Sequence, residues 1–409
     1  MQVDSGDTAW VLISAALVLL MTPGLAFFYG GMARRKNLLS TIMMSFAVMG
    51  LIGVLWALWG YSLSFGADKG GFIGGFNFLG LINVGMDPSD TYATTVPHLA
   101  FMTFQGMFAI ITVALITGAV VERIKFSALM IFAALWVTIV YSPVCHWVWG
   151  SGGWLGSLGA LDFAGGAVVH INAGVSALAL VLVLGKRRGF PGDIMEPNNI
   201  PFVTLGAGLL WFGWFGFNAG SALTSGGLAS NAFVATNLSA ASAGFTWMII
   251  GWLTRRPSLL GTVTGAVAGL VAITPAAGFV PPIAGIPIGV VVSIVCYYSV
   301  VFMKNKMHFD DSLDVFAVHG MGGIWGALAT GIFASSAVGG TAGLFEGNVG
   351  QLLTQFIGII TVAAYAFGVT WVLGKLIDIT IGLRVGQAEE SLGLDLSQHG
   401  ERAYGGLLR

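Results

Sequence analysis

The sequence has 409 residues, of which only 9% are charged and 56% are hydrophobic; 17 basic residues against 18 acidic ones leave a formal net charge of −1. Because a water-soluble globular protein carries about 25% charged residues, this composition excludes a disordered chain, a nucleic-acid-binding protein that relies on bulk positive charge, and almost any soluble enzyme. Its two cysteines, Cys145 and Cys296, are far apart, so neither a disulfide framework nor a cysteine-rich metal site is expected. The chain is predicted to lie in a membrane.

Charge-free stretches indicate the number of membrane crossings, because a helix needs about 20 apolar residues to cross the hydrocarbon core. Two long stretches, 197–254 and 257–303, are each interrupted by a polar or Pro/Gly-rich break and are each expected to cross twice. The remaining stretches suit one crossing each: 8–33, 37–67, 91–121, 126–161, 163–185, 315–345 and 347–374. The sequence therefore predicts an all-α polytopic membrane protein with eleven transmembrane helices.

The basic residues indicate the orientation of the chain. All but one of the 17 lie in alternate loops or in the C-terminal tail, and the exception is Lys69. Positively charged loops stay in the cytoplasm, so the N-terminus is predicted outside and the C-terminus inside. The acidic start and the long first apolar run predict a true span instead of a signal peptide. We expect a transmembrane domain over residues 1–378 and a cytoplasmic tail over residues 379–409.

The first span contains Pro23-Gly24, and the donor that proline lacks predicts a bend there. The chain has 61 glycines, about twice the usual share. This abundance predicts helices that pack closely through small residues. The alternative is that the glycines face lipid and have no role in helix packing.

Aromatic residues cluster near the outer ends of spans three, four and six: Phe104, Phe108, Trp147, Trp149, Trp154, Trp211, Phe212, Trp214, Phe215 and Phe217. A belt at the membrane interface is the usual reason for such residues and accounts for most of them. The face of a tryptophan also attracts a small cation, and Ser221, at the outer end of span six, can offer a hydroxyl oxygen. The cluster is therefore a candidate cation-binding site.

Span five begins at Asp162 and carries His170 eight residues later, roughly 12 Å into the membrane. Asp162 is expected to cap this helix, which does not exclude an electrostatic effect on a nearby cation. Span ten enters from the opposite face and carries Asp314 and His319. A lone histidine would be interpreted as a core residue, but two that converge on one depth indicate a functional pair. Neutral imidazoles both donate and accept, so the pair can share or pass a proton.

The number of spans also predicts an internal repeat. Spans one to five and six to ten form two blocks of five, and an odd number places the second block upside down relative to the first. Inverted repeats are common in transporters, where the substrate site lies at their interface near the middle of the membrane. The eleventh span is an addition to this 5+5 arrangement.

Four motifs together resemble the ammonium transporter (Amt/Mep/Rh) family, in its prokaryotic Amt branch, over nearly the whole chain. They are Phe-Phe-Tyr-Gly-Gly-Met at 27–32, Asp-Phe-Ala-Gly-Gly-Ala-Val-Val-His-Ile-Asn at 162–172, Trp-Phe-Gly-Trp-Phe-Gly-Phe-Asn-Ala-Gly-Ser at 211–221 and Asp-Val-Phe-Ala-Val-His-Gly at 314–320. The resemblance implies a homotrimer in the plasma membrane with one pore per subunit, and neither a cofactor nor a metal.

The resemblance also implies roles for eight residues along one pathway. They are the outer recruitment pair Trp149 and Ser221, the stacked pair Phe108 and Phe217 at the entrance, the family aspartate Asp162, the lining residue Trp214, and the paired pore histidines His170 and His319. Trp147 and Trp154 remain alternatives to Trp149, and Phe104 remains an alternative to Phe108.

By the same resemblance, ammonium is expected to be captured outside, to lose its proton and to cross as ammonia, with methylammonium as an analogue. Whether the proton follows is open. Residues 379–409 resemble the family's regulatory segment, which helps to engage PII-type signalling proteins in prokaryotes; a solvated tail is the alternative. The rival functions are an Rh-like passive gas channel and an ammonium sensor. An intramembrane enzyme is not expected, because no His-x-x-x-His, Gly-x-Ser-x-Gly or carboxylate pair lies within a span.

Overall fold

The computed structural model describes residues 2–404; residues 405–409, the end of the predicted tail, lie outside the described residues. The described chain is dominated by long apolar helices. In chain order they are α1 Ser5–Met32, α2 Arg35–Phe65, α3 His98–Val120, α4 Phe126–Ser157, α5 Gly166–Leu184, α6 Ile200–Gly220, α7 Gly227–Thr254, α8 Leu259–Ile273, α9 Pro282–Met307, α10 Phe316–Phe333 and α11 Val349–Ile381. Every predicted span therefore has a helix.

Within residues 2–404, ten helices are long and apolar enough to cross a membrane, and α8, with 15 residues, is the shorter one. It rises roughly 22 Å and stops just before Pro275. The chain continues at membrane depth as a buried, non-helical segment, 274–281. Such backbone is tolerated only where protein groups satisfy it. Here the Asn231 side-chain amide donates to two of its carbonyls, and the Phe163 amide donates to the Pro275 carbonyl.

Two small hairpins lie between α2 and α3: β1 Asp68–Lys69 with β2 Ile73–Gly74, and β3 Pro88–Ser89 with β4 Ala93–Pro97, both antiparallel. We call this end of the helices the hairpin face. The opposite end, where residues 382–404 pack, is the tail face.

Helices α1 and α6 pack closely and antiparallel through glycine. A Cβ placed on Gly24 would lie 2.9 Å from the Leu209 Cβ, and one on Gly31 would lie 2.6 Å from the Asn199 carbonyl oxygen. Helices α5 and α10 show the same relation, since a Cβ on Gly174 would lie 2.2 Å from the Gly320 nitrogen. Two pairs of helices five positions apart, α1 with α6 and α5 with α10, thus pack together in the way that an inverted repeat predicts, and small residues make the contacts, as predicted.

The tail is packed against the tail face, which excludes a solvated tail for its described part. Helix α11 runs to Ile381, so the expected boundary at residue 378 falls inside this helix. Beyond it, the Leu394 side chain is fully buried and its amide donates to Asn37 Oδ1 at 2.8 Å. Asp395 accepts from the Ser40 amide at 2.8 Å, and Glu390 pairs with Arg384 at 2.7 Å.

A buried ion network closes the tail face beneath the helices. Arg187 lies 2.6 Å from Asp310 and 3.2 Å from Glu122, and Glu122 also pairs with Arg34 at 2.7 Å. Burial alone raises the pKa of the Glu122 and Asp310 carboxyls, but Arg187 and the other guanidinium groups lower both below their ordinary values. The network is therefore fully charged at neutral pH.

Replacing Arg187 with methionine is expected to reduce stability by about 3–5 kcal/mol, because it leaves buried carboxylates without their partner. Thermal unfolding in detergent measures the loss, and the exposed neighbour Lys186→Ala is the matched control. Since the carboxyl pKa values are lowered on folding, the stabilisation is present above their ordinary values of 3.8 and 4.5 and is lost as the pH falls below them. Equal unfolding midpoints for the two variants would contradict this role.

Candidate functional site

The segment before α5 folds around Asp162. Its Oδ1 accepts from the amides of Gly165 and Gly166 at 2.9 and 2.6 Å, and its Oδ2 accepts from those of Ala167 and Val168 at 2.8 and 3.1 Å. The side chain therefore caps the helix, as expected, and satisfies amides that are buried from solvent. The carboxylate also lies at the start of the helix that carries His170.

His170 and His319 face each other in the centre of the molecule. Each lies in a π-helical turn, Gly166–Ile171 and Phe316–Gly320, a local widening of the helix that is common at functional sites. The two Nδ1 atoms are 3.3 Å apart, and the rings are nearly parallel, at 21°. Both side chains are buried. The predicted convergence of the pair is confirmed.

The contact fixes how protons are shared between the two rings. One Nδ1 must donate and the other must accept, so in a neutral pair the accepting ring carries its proton on Nε2. His170 Nε2 is buried and has no partner among the described residues. His319 Nε2 likewise forms no hydrogen bond with the described residues, so the pair offers one Nε2 atom on each ring to a small guest.

Aromatic rings continue from the histidines toward the hairpin face. Trp214 and Phe217 lie over His170 with ring centroids 5.4 and 6.0 Å away. The rings of Phe217 and Phe108 pack with centroids 4.3 Å apart and planes tilted by 35°, and Trp149 packs edge-to-face against Phe108 at 5.9 Å. The structure thus places these residues in one column that ends at the partly exposed Trp149.

The alternatives for the outer aromatic residues are separated by the same geometry. Trp147 is buried and donates to the Phe72 carbonyl, and Trp154 packs on Trp147. Neither joins the column. Phe104 contacts Phe108 edge-on at 4.9 Å but does not stack on Phe217. Trp149 and Phe108 are therefore the members of each set that lie on the column.

Ser221 also adjoins the column, because its hydroxyl donates to the Phe217 carbonyl at 2.8 Å. Its lone pairs remain available as acceptors. Trp149 is held in place by its indole N–H, which donates to the main-chain oxygen of Asp162 at 2.8 Å. The aspartate segment therefore positions the tryptophan as well as the helix.

A narrow cavity lies along the histidines, with about 10 Å³ of space for the centre of a water-sized molecule, which is room for about one. Apart from the two imidazoles its wall is apolar or aromatic: Met21, Leu25, Phe28, Ile111, Leu115, Val169, Leu210, Trp214, Phe217 and Val267. A second cavity of about 60 Å³ reaches His319 from the tail face and contains Asp314 and Thr264. Both histidines thus line the first cavity, and His319 borders the second as well.

Sequence reasoning missed the residues that hold this arrangement. Gln355 on α11 is buried, and its side chain forms two hydrogen bonds with the backbone of Leu161. It accepts from the Leu161 amide at 2.7 Å and donates to the Leu161 carbonyl at 2.8 Å. Thr274 accepts from the Trp214 indole at 2.9 Å. Asp311 caps α10 by accepting from the Phe316 amide at 2.7 Å, which parallels Asp162 on α5. Only the last had a signal, an aspartate shortly before an apolar run.

Comparisons with known proteins agree on one family. A family model described as "Ammonium Transporter Family" matches residues 9–404. The ammonium transporter Amt1 of Archaeoglobus fulgidus is 52% identical over 402 residues, covering 98% of this chain and 100% of that protein. An ammonium transporter of Bacillus subtilis is 50% identical, covering 98% of each chain.

Solved structures give the same result. Saccharomyces cerevisiae Mep2 superposes with a TM-score of 0.91 at 37% identity, covering 99% of this chain and 92% of that one. A chain described as "Sensor Amt Protein" superposes with a TM-score of 0.90 at 30% identity, covering 96% and 98%.

Proposed function

The chain belongs to the ammonium transporter family, and we propose that it carries ammonium across the plasma membrane along the column from Trp149 to His319. Its hairpin face lies outside and its tail in the cytoplasm, as the basic residues indicate. The observation that carries the proposal is the His170–His319 contact within an otherwise apolar cavity.

The first step is capture at the hairpin face. Trp149 offers an aromatic face and Ser221 a hydroxyl oxygen, and both adjoin the Phe108–Phe217 pair. A cation is attracted to the indole ring electrostatically. The indole N–H is bonded to the main-chain oxygen of Asp162, and the carboxylate of the same residue adds a negative charge to this region. This combination favours ammonium over neutral ammonia at the outer end.

The second step is transfer of one ammonium proton to water at the hairpin face, which leaves neutral ammonia to enter the cavity. Moving an isolated monovalent ion into a low-dielectric interior costs on the order of 20 kcal/mol by the Born estimate. Two neutral imidazoles and a wall of apolar side chains do not offset such a cost. Ammonia fits this cavity because it is uncharged and can bond to His170 Nε2, whereas potassium cannot shed its charge.

Uptake of labelled methylammonium into liposomes that contain the purified protein tests this function. We expect uptake above that of empty liposomes, with competition by ammonium. The similarity to a sensor chain makes sensing the second candidate, and methylammonium binding without uptake would favour it over transport.

Replacing Trp149 with leucine is expected to raise the half-saturating methylammonium concentration by about 2- to 30-fold, because a cation–π contact contributes about 0.5–2 kcal/mol. The maximal rate should change less, since the histidine pair is untouched. Trp154→Leu is the matched control, because Trp154 does not join the column. If both variants shift the concentration equally, Trp149 is not the recruitment residue.

The tail is proposed to be a regulatory segment, and the assembly a homotrimer with one pore per subunit. The support for a regulatory tail is that its described residues pack against three loops of the tail face, at Asn37, Lys125 and Arg188. A PII-type signalling protein is the proposed partner, in keeping with the bacterial and archaeal relatives. A pull-down with a PII protein at low 2-oxoglutarate tests this, and a negative result would count against the partner.

A further inference from the structure

Helix α4 is interrupted directly after Trp149, the residue proposed to capture ammonium. Its long helical part ends at Trp149, and a short helical turn resumes at Trp154; we call residues 150–153 the tryptophan turn. A continuous ladder of helical hydrogen bonds does not hold these residues. The indole N–H fixes one edge of the Trp149 ring through its bond to the main-chain oxygen of Asp162. Other groups must therefore hold the backbone on which the ring stands.

The first of these groups lies one helical turn before Trp149. The His146 side chain is fully buried. Its Nδ1 lies 2.9 Å from the Ser64 carbonyl oxygen, and its Nε2 lies 2.9 Å from Asp68 Oδ1 in strand β1. Both partners are oxygen atoms, so each ring nitrogen carries a hydrogen when both bonds form. A bond from a protonated ring to a carboxylate is charge-assisted and is stronger than one between neutral groups.

The tryptophan turn lies directly on this pair. A Cβ on Gly150 would overlap the His146 ring, and one on Gly153 would overlap the His146 carbonyl oxygen. A Cβ on Gly152 would lie 2.8 Å from the Asp68 Cβ. Because no side chain separates the turn from His146 and Asp68, a shift of this pair must also shift the turn.

A second group holds the turn on the other side of Trp149. The Ser151 amide donates to the Tyr92 hydroxyl oxygen at 3.1 Å, and that hydroxyl donates to the Phe65 carbonyl at 2.8 Å. The Tyr92 ring stacks on Phe101 with centroids 5.3 Å apart and planes at 8°. Phe65 belongs to α2 and Phe101 to α3, so both helices fix the hydroxyl that the turn contacts.

We propose that Asp68 and Tyr92 are positioning residues for capture of the cation, because they hold the tryptophan turn on both sides of Trp149 and thereby keep its ring against Phe108. Neither residue lines the cavity at the histidines, so both act through Trp149. The proposal rests on the capture step proposed above and names the residues on which the geometry of that step depends.

Methylammonium uptake into liposomes, measured over a range of concentrations, tests the two roles. Asp68→Ala removes the partner of His146 Nε2, and Tyr92→Phe removes only the hydroxyl. Each is expected to raise the half-saturating concentration about two- to tenfold, the range expected for one hydrogen bond. The maximal rate should change less, because the histidine pair is untouched. Asp68→Asn keeps a polar partner for His146 and should recover part of the affinity that the alanine variant loses.

The same changes in a Trp149→Leu background separate positioning from a general loss of structure. Asp68→Ala and Tyr92→Phe should then cause no further rise in the half-saturating concentration, because the turn has no tryptophan left to position. Unfolding midpoints in detergent accompany each variant. If Asp68→Ala does not fold, Asp68→Asn supplies the same comparison between the two backgrounds.

Two matched controls should behave like the wild type. Asp87→Ala removes an exposed carboxylate from the same segment between α2 and α3. Tyr365→Phe removes a hydroxyl that also donates to the backbone of α4, but at Ile139, away from the turn. A rise with Asp87→Ala as large as that with Asp68→Ala would overturn the proposal, because the charge of the face and not the position of the turn would then set the affinity.

The two backgrounds also distinguish this proposal from the capture step itself. Rises of equal size with and without Trp149 would overturn the positioning role, because Asp68 and Tyr92 would then act independently of the tryptophan. A rise with Trp149→Leu, but none with Asp68→Ala or Tyr92→Phe, would contradict the positioning role and leave the capture step standing. No rise with Trp149→Leu would remove the capture step, and the positioning role with it.

Discussion

Replacing His170 and His319 together with leucine is expected to abolish ammonium-selective transport. Leucine nearly matches histidine in volume, so van der Waals packing against Trp214 and Phe217 should remain, but the stacked imidazole and both polar partners of the guest are lost. Two lost hydrogen bonds of about 1–3 kcal/mol each correspond to a decrease of at least about thirtyfold in uptake. Methylammonium uptake and potassium exclusion should be measured on the same liposomes.

A conservative variant separates chemistry from packing. His319→Gln keeps one donor and one acceptor at the pair, and it should recover part of the uptake that the double leucine variant loses. Unfolding midpoints in detergent check that both proteins are intact. Unchanged flux with unchanged potassium exclusion in the double leucine variant would remove the histidines from the mechanism.

Substitution of Asp162 is expected to affect both stability and capture. Asp162→Ala removes the acceptors of four buried amides and should reduce stability by at least about 1–2 kcal/mol, the usual loss for a helix cap. Asp162→Asn keeps the shape and part of the cap but removes the charge behind Trp149. The attraction between a cation and a nearby carboxylate is on the order of 1–3 kcal/mol, so this variant should lose roughly tenfold or more in uptake. Its unfolding midpoint should also fall, because the asparagine NH2 group leaves two of the four amides without an acceptor.

The pair of Asp162 variants distinguishes a cap from an electrostatic role. Asp4→Ala is the control, because Asp4 caps α1 at an exposed position. Normal uptake by Asp162→Asn would show that the residue acts only as a cap. Loss of uptake by Asp162→Asn at a temperature where the variant is still folded, with normal uptake by Asp4→Ala, supports a role of its charge in holding the cation.

Much of the fold could be predicted because charged residues are rare in membrane-spanning helices and common in the loops between them. Charge-free stretches located all the helices, and the opposite entry of spans five and ten brought His170 and His319 together. The end of the short α8 could be predicted from the Pro/Gly-rich break at residues 274–282, but hydropathy does not show that this break stays buried inside the protein. That segment is held by Asn231, a contact across 46 positions of sequence with no local pattern.

The site was less accessible to sequence reasoning wherever several residues of one type lie close together. Trp147, Trp149 and Trp154 have the same chemistry, and only the position of Phe108 in space separates them. The hydrogen bonds between Gln355 and the Leu161 backbone were missed, because a lone glutamine in an apolar helix does not indicate which residue it contacts. The packed tail was equally hidden, since its composition also suits a solvated segment.

Potassium flux tests whether the species that crosses the histidine pair is uncharged. Liposomes containing the wild-type protein would be loaded with a potassium-sensitive dye and given equal inward gradients of potassium or ammonium. If the cavity admits only a deprotonated guest, ammonium should be taken up while potassium enters no faster than into empty liposomes. Potassium entry at a rate comparable to ammonium would mean that a bare cation crosses the corridor, and the proposed mechanism would be wrong.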